Sequence, residues 1–260
     1  MAHAFESTVA AARHLDLDTP AIRQARIDLA ACFRMAARLG LGEGICNHFS
    51  FVVPGHDDLF LVNPYGLAFA EVTACSLLIC DFVGGVVVGE GAPEATAFHI
   101  HAQLHRLNPQ ARAAFHTHMP HATALCLLEG DPFVWAGQTA LKFHDRLSVD
   151  EDYNGLALDA AEGERIARAA GDAAVVMLKN HGPLVLGPSI AEAWDDLYYL
   201  ERAAEVQLKA MASGRPLKPV APAIAHAACQ QLLQGNADSA RLHLESVKRQ
   251  LLRLEPDYRD

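Results

Sequence analysis

The sequence predicts an α/β protein, and three observations carry the prediction. Short apolar runs bounded by turn residues alternate along the chain with stretches whose apolar residues recur every three or four positions, so strands and helices are interleaved. Gly84-Gly85 lies between two apolar runs and signals a two-residue hairpin. The chain of 260 residues is 51% apolar, ample for a sizeable core.

The elements follow in order. Thr19-Pro20 starts a helix, with Thr as N-cap and Pro in the first turn, and Ile22, Ala25, Leu29, Cys32, Ala36 and Leu39 keep helical spacing until Gly40. Gly42-Glu43-Gly44 opens a loop into a strand over 48–53, and Leu59-Phe60-Leu61-Val62 reads as the next, ended by Asn63-Pro64. Residues 77–83 and 86–88 flank the hairpin glycines. A helix over 95–107 stops before Pro109, the run Ala113-Ala114-Phe115-His116 is a strand, and a helix begins near Pro120. Residues 162–170 read as a helix, 173–179 as a buried strand, 184–186 as its return, and 189–211 as a long helix capped by Ser189. Ser213-Gly214-Arg215-Pro216 and the prolines through Pro222 break the pattern before two helical stretches, 223–234 and 237–254. The expected division is a main domain over 1–212 and a helical tail over 213–260, packed on the same core or on a neighbouring subunit.

Composition narrows the partners. A formal net charge of −10 and singly scattered basic residues argue against a nucleic-acid groove. No apolar run approaches the roughly 20 residues of a membrane span. The six cysteines show no C-x-x-C spacing, and the amino terminus lacks a basic stretch followed by an apolar core, so the expectation is a reduced, cytoplasmic protein acting on a small molecule.

The chemistry concentrates in histidines. In an extended strand residues two apart share a face, so His116 and His118 can reach one point. Asn180-His181-Gly182 follows a second apolar run, where a tight turn can present a third imidazole. Three such ligands leave a position open, as catalytic zinc sites do. On the preceding helix His101 and His105 share a face. Glu94, at that helix's start, is either an acid/base or a charge that complements the helix dipole. Three loop segments, 44–50, 63–66 and 89–93, can complete a pocket.

The Gly-rich segment with Asn47, the Asn63-Pro64-Tyr65-Gly66 turn, His116-Thr117-His118-Met119-Pro120-His121-Ala122-Thr123-Ala124, Asn180-His181-Gly182-Pro183-Leu184 and residues 193–204 together resemble the class II aldolase/adducin family over about residues 20–212. The resemblance implies an α/β/α fold with a central, mainly antiparallel sheet flanked by helices, assembled as a homotetramer. It also implies a divalent ion, zinc or manganese first and ferrous iron or cobalt next, on His116, His118 and His181. Two family signatures are altered: Ala97 aligns with the catalytic glutamate of the sugar-phosphate aldolases, and the residues that hold phosphate are replaced. The resemblance therefore implies a metal-dependent carbon–carbon lyase acting on a non-phosphorylated, carboxylate-bearing substrate. Such an enzyme is a decarboxylase of an aromatic or heteroaromatic acid or an aldolase of a hydroxy-keto acid, with Glu94 or His101 supplying the proton. Asn47, Ser50, Tyr65, Gly66 and Thr96 are the expected substrate-binding residues. The alternatives are a ferrous-iron oxygenase of an aromatic acid and an adducin-like interaction module.

Overall fold

The computed structural model describes residues 15–260; the amino-terminal residues on which the sequence reading found no targeting signal, and the first part of the expected 1–212 unit, lie outside them. Eight strands form one sheet: β1 (His48–Val52), β2 (Leu59–Val62), β3 (Leu78–Asp81), β4 (Val86–Val88), β5 (Ala113–His116), β6 (Leu147–Asp150), β7 (Val175–Leu178) and β8 (Gly182–Gly187). Their spatial order is β4-β3-β2-β1-β5-β8-β7-β6. Every neighbouring pair is antiparallel except β6 and β7.

Side-chain alternation divides the sheet into two faces, both covered. Leu59, Leu61, Ile79, Phe115, Val175, Met177 and Val185 enter one apolar cluster with helices α1 (Pro20–Arg38), α3 (Pro120–Cys126) and α6 (Ile190–Met211). Their strand neighbours Ala114, Val176, Leu178, Leu184 and Leu186 pack with α2 (Ala95–Leu107) and α5 (Ala160–Ala170). The fold is thus α/β/α, as the resemblance implies.

Helix ends follow their signals. The hydroxyl of Thr19 accepts the amide of Ile22 at 3.2 Å, and that of Ser189 accepts the amide of Glu192 at 3.2 Å. Residues 213–260 supply α7 (Pro222–Leu233) and α8 (Asn236–Leu254), and Leu244, Val247 and Leu251 of α8 join the core of the same chain. Arg34 of α1 reaches Asp257 at 2.7 Å, and Ala74 donates its amide to the carbonyl of Tyr258 at 2.9 Å.

Two elements differ from expectation. The Gly84-Gly85 hairpin is not a two-residue turn: β3 ends at Asp81 and β4 begins at Val86, leaving a four-residue loop. The Asp81 carboxylate closes it by accepting the amides of Val83 at 2.9 Å and Gly85 at 2.8 Å, so side-chain capping rather than the glycine pair sets its length. β6 and the short helix α4 (Gln138–Leu141) carry no sequence expectation. β6 is an edge strand of four residues in which Leu147 and Val149 alternate with Ser148 and Asp150, too short a pattern to stand out.

Candidate active site

The site gathers where β5 leaves the sheet and the β7–β8 turn comes back to it. β5 runs antiparallel to β1 with His116 opposite His48 and to β8 with His116 opposite Leu184. The return from β7 to β8 is tight, with Asn180 in the left-handed region at φ 57°, and it swings His181 back over the end of β5. Nε2 of His116 and Nε2 of His118 are 3.2 Å apart, and one ring nitrogen from each of His116, His118 and His181 lies within 4.8 Å of the others.

The other nitrogens are engaged. Nδ1 of His116 donates to the carbonyl of Pro183 at 3.0 Å, and Nδ1 of His118 faces the Glu43 carboxylate at 2.6 Å. Partners of this kind fix the tautomer and turn the opposite nitrogen toward an ion. Burial, and then the neighbouring imidazoles, hold the pKa of His116 well below its ordinary 6.5, and burial with the adjacent His118 lowers His181 to about 4. Three imidazoles with nitrogens turned toward one point and one flanking carboxylate are the donor set that zinc and similar divalent ions take, so the residues fit the group.

Beneath this centre a chain of histidines runs into the layer between the sheet and α2. Nδ1 of His105 donates to the carbonyl of Ala111 at 2.6 Å, which leaves its Nε2 bare to accept the Ser50 hydroxyl at 2.7 Å. Ser50 then accepts from Nδ1 of His101, whose Nε2 accepts Nδ1–H of His48 at 2.7 Å. Every tautomer follows from the single carbonyl at the inner end. The His48 ring lies 5.0 Å from that of His116.

Burial lowers the pKa of His105 to about 4 and that of His48 to about 3. A group whose folded pKa is depressed contributes stability that is complete above its unfolded value of 6.5 and is lost as pH falls toward the folded value. For His105 this amounts to on the order of 3 kcal/mol. Melting temperature is expected to fall steadily as pH drops from 6.5 toward 4; a flat profile over that window contradicts the neutral, buried assignment.

The other expected site residues separate. Thr96 lines a cavity of about 570 Å³ that opens onto His118 and His181. Asn47 sits behind it, its Oδ1 accepting the amides of Glu43 at 2.7 Å and His118 at 3.2 Å, so it shapes the loop. Ser50 and His101 are 0% exposed and are committed to the histidine chain. Glu94 is the N-cap of α2, its carboxylate taking the Ala97 amide at 2.9 Å and the Thr96 hydroxyl, and it does not line the cavity. Tyr65 is 56% exposed, and neither it nor Gly66 lines the cavity of the single chain.

Most of the lining was not assigned from sequence, including its two other ionisable side chains, Glu43 and Tyr153. Glu43 was legible only as part of a glycine-flanked turn, and Tyr153, whose ring lies 6.5 Å from that of His181, comes from the 151–159 loop that no spacing argument places. His121, next to the double-histidine motif, is absorbed elsewhere. Glu201 of α6 holds its Nδ1 at 2.7 Å and accepts its amide and that of Ala122, capping α3.

A sheet helix-covered on both faces, with three imidazoles gathered at one strand end, defines the class as the α/β/α fold of the class II aldolases. The chain belongs to the Class II Aldolase and Adducin N-terminal domain family, whose profile matches residues 27–208. It is 34% identical over 245 residues to a Caulobacter vibrioides protein provisionally named as a class 2 aldolase, with 91% of this chain and 92% of that one covered. It is 31% identical to the decarboxylase NovR of Streptomyces niveus, over 72% of this chain and 70% of that one. An aldolase II superfamily protein from Pseudomonas syringae superposes with a TM-score of 0.88 at 32% identity, covering 94% of this chain and 98% of that one. Among the described residues no helix is long and apolar enough to cross a membrane.

Proposed function

We propose that this protein is a divalent-metal-dependent carbon–carbon lyase that decarboxylates an aromatic or heteroaromatic acid or cleaves a hydroxy-keto acid, without a phosphate on the substrate. The observation that carries the reading is the convergence of His116, His118 and His181, with His118 and His181 lining a cavity reached by solvent and His116 buried just behind them. A bound ion, zinc or manganese first and ferrous iron or cobalt next, supplies positive charge for a carboxylate and Lewis acidity for the charge that develops as the carbon–carbon bond breaks.

The cavity's own residues argue the substrate class. Pro120, Ala124, Leu127, Leu156 and Ala157 give it an apolar wall, and no lysine or arginine lines it among the described residues. That wall suits a flat apolar ring, and the lining brings no fixed cation to a phosphate. Glu43 orients His118 and, among the described residues, is the one carboxylate lining the cavity; with the Tyr153 hydroxyl it would hold or deliver the proton that ends the reaction. These two take the role that the sequence reading gave to Glu94 or His101. The similarity to decarboxylase NovR supports decarboxylation and that to the Caulobacter protein supports aldol cleavage, while three convergent imidazoles argue against an adducin-type interaction module.

The test is a panel of hydroxylated aromatic acids and hydroxy-keto acids with protein loaded with zinc, manganese, cobalt or ferrous iron. Release of carbon dioxide or of a cleaved keto acid supports the reading. Inertness across the panel with every ion removes it, and oxygen consumption during turnover replaces it with a ferrous oxygenase. The reading includes assembly as a homotetramer, and light scattering on the eluted protein is expected to give four times the chain mass.

A further inference from the structure

Away from the three-histidine centre, a second set of donors meets at the turn that joins α4 to β6. Nδ1 of His144 lies 3.0 Å from Oδ2 of Asp145, and Nδ1 of His226, reaching across from α7, lies 2.7 Å from the same oxygen. The three donor atoms fall within 4.8 Å of one another. A tetrahedral ion with ligand bonds of about 2.0–2.1 Å spaces its ligands about 3.3 Å apart, so the two imidazole nitrogens, now drawn in on Asp145 at 2.7 and 3.0 Å, need open by only a few tenths of an ångström to admit one.

Ordinary hydrogen bonding accounts for only half of the set: His226 Nδ1 is bonded to the Asp145 carboxylate, but His144 is not. Nδ1 of His144 is buried and has no hydrogen-bond partner, because its approach to Asp145 lacks the geometry of a bond. A buried ring nitrogen is left without a partner beside two further donor side chains, and in the tautomer protonated on Nε2 it has a lone pair to offer an ion. The supporting shell is fixed as well. The His144 ring meets the edge of Trp135 at 5.2 Å, the Cys229 thiol of α7 donates to the His144 carbonyl at 3.0 Å, and Asp145 sits in the left-handed region at φ 63°. A non-glycine residue is held there only where its surroundings determine it.

We propose that His144, Asp145 and His226 form a second divalent-metal site, distinct from the centre at His116, which ties α7 to the body of the protein. Two imidazoles and one carboxylate suit a borderline ion such as zinc, and solvent at the partly exposed His226 supplies the remaining ligand. The role is structural: Asp145 and His144 belong to the core turn and His226 to the carboxy-terminal segment, so the ion bridges the two.

Dialysis against zinc at neutral pH followed by metal analysis tests the proposal without reference to turnover. The unaltered protein is expected to hold two ions per chain, and His226→Ala one. Asp145→Gly, which suits the left-handed backbone while deleting the ligand, is also expected to hold one. In protein carrying both His118→Ala and His181→Ala, added zinc is expected still to raise the melting temperature, and adding His226→Ala is expected to abolish the rise. One ion per chain in the unaltered protein, or an ion count unchanged by both His226→Ala and Asp145→Gly, overturns the second site. Loss of lyase activity alone bears only on the first.

Discussion

His116→Ala is expected to empty the three-histidine centre and to lower turnover by about a thousandfold or more, since a Lewis acid contributes several kcal/mol to the transition state and each 1.4 kcal/mol is tenfold in rate. The position is chosen because His116 is fixed from three sides: by the Pro183 carbonyl on Nδ1, by His118 at 3.2 Å, and by the strand that places it opposite His48. Metal analysis and kcat/KM on the same preparation give the result, with circular dichroism to show that the sheet persists. Retention of both ion and turnover in this variant sinks the lyase reading.

Gly163→Ala is expected to be the most damaging small substitution outside the site. A Cβ built at Gly163 would lie 2.2 Å from the carbonyl oxygen and 2.8 Å from the carbonyl carbon of His99. These are backbone atoms of α2, so no rotamer change relieves the clash and α5 must move away from α2. Overpacking costs about 1–3 kcal/mol and sometimes more, and here it outweighs the gain of about 1 kcal/mol that alanine brings to a helix interior. The expected net loss of about 2 kcal/mol lowers the melting temperature by about 5 °C for a chain of this size. A melting temperature that rises instead would show that the two helices do not cross so closely.

That glycine also marks what the sequence could reveal. Helical periodicity exposed the segment that became α5, but a glycine in mid-helix reads from sequence only as a weakness, and its reason is the backbone of another helix distant in the chain. Local signals served well wherever the cause was local: Thr19-Pro20 and Ser189 as helix starts, the short apolar runs of β2 and β5, and the period-two spacing that brings His116 and His118 together. The Asp81-capped loop and β6 escaped because a carboxylate bridging two amides, or a four-residue edge strand, leaves no periodic trace. In the site, residues fixed by a motif were legible, whereas those brought in by loops were not. Glu43 and Tyr153 reach the cavity through chain geometry, and the two expectations for Glu94 could not be separated in sequence, because a helix cap and a catalytic carboxylate use the same side chain; the cap is what the structure shows.

The histidine chain beneath the centre ends on the Ala111 oxygen, an atom that can only receive. Reversing the polarity of the array would set a lone pair against that oxygen, so its bond dipoles stay aligned. It behaves as a miniature electret, permanently poled, with its electron-rich terminus at His48 beside His116. A cation seated nearby is attracted by neutral matter alone, without a further formal negative charge in the interior of the sheet.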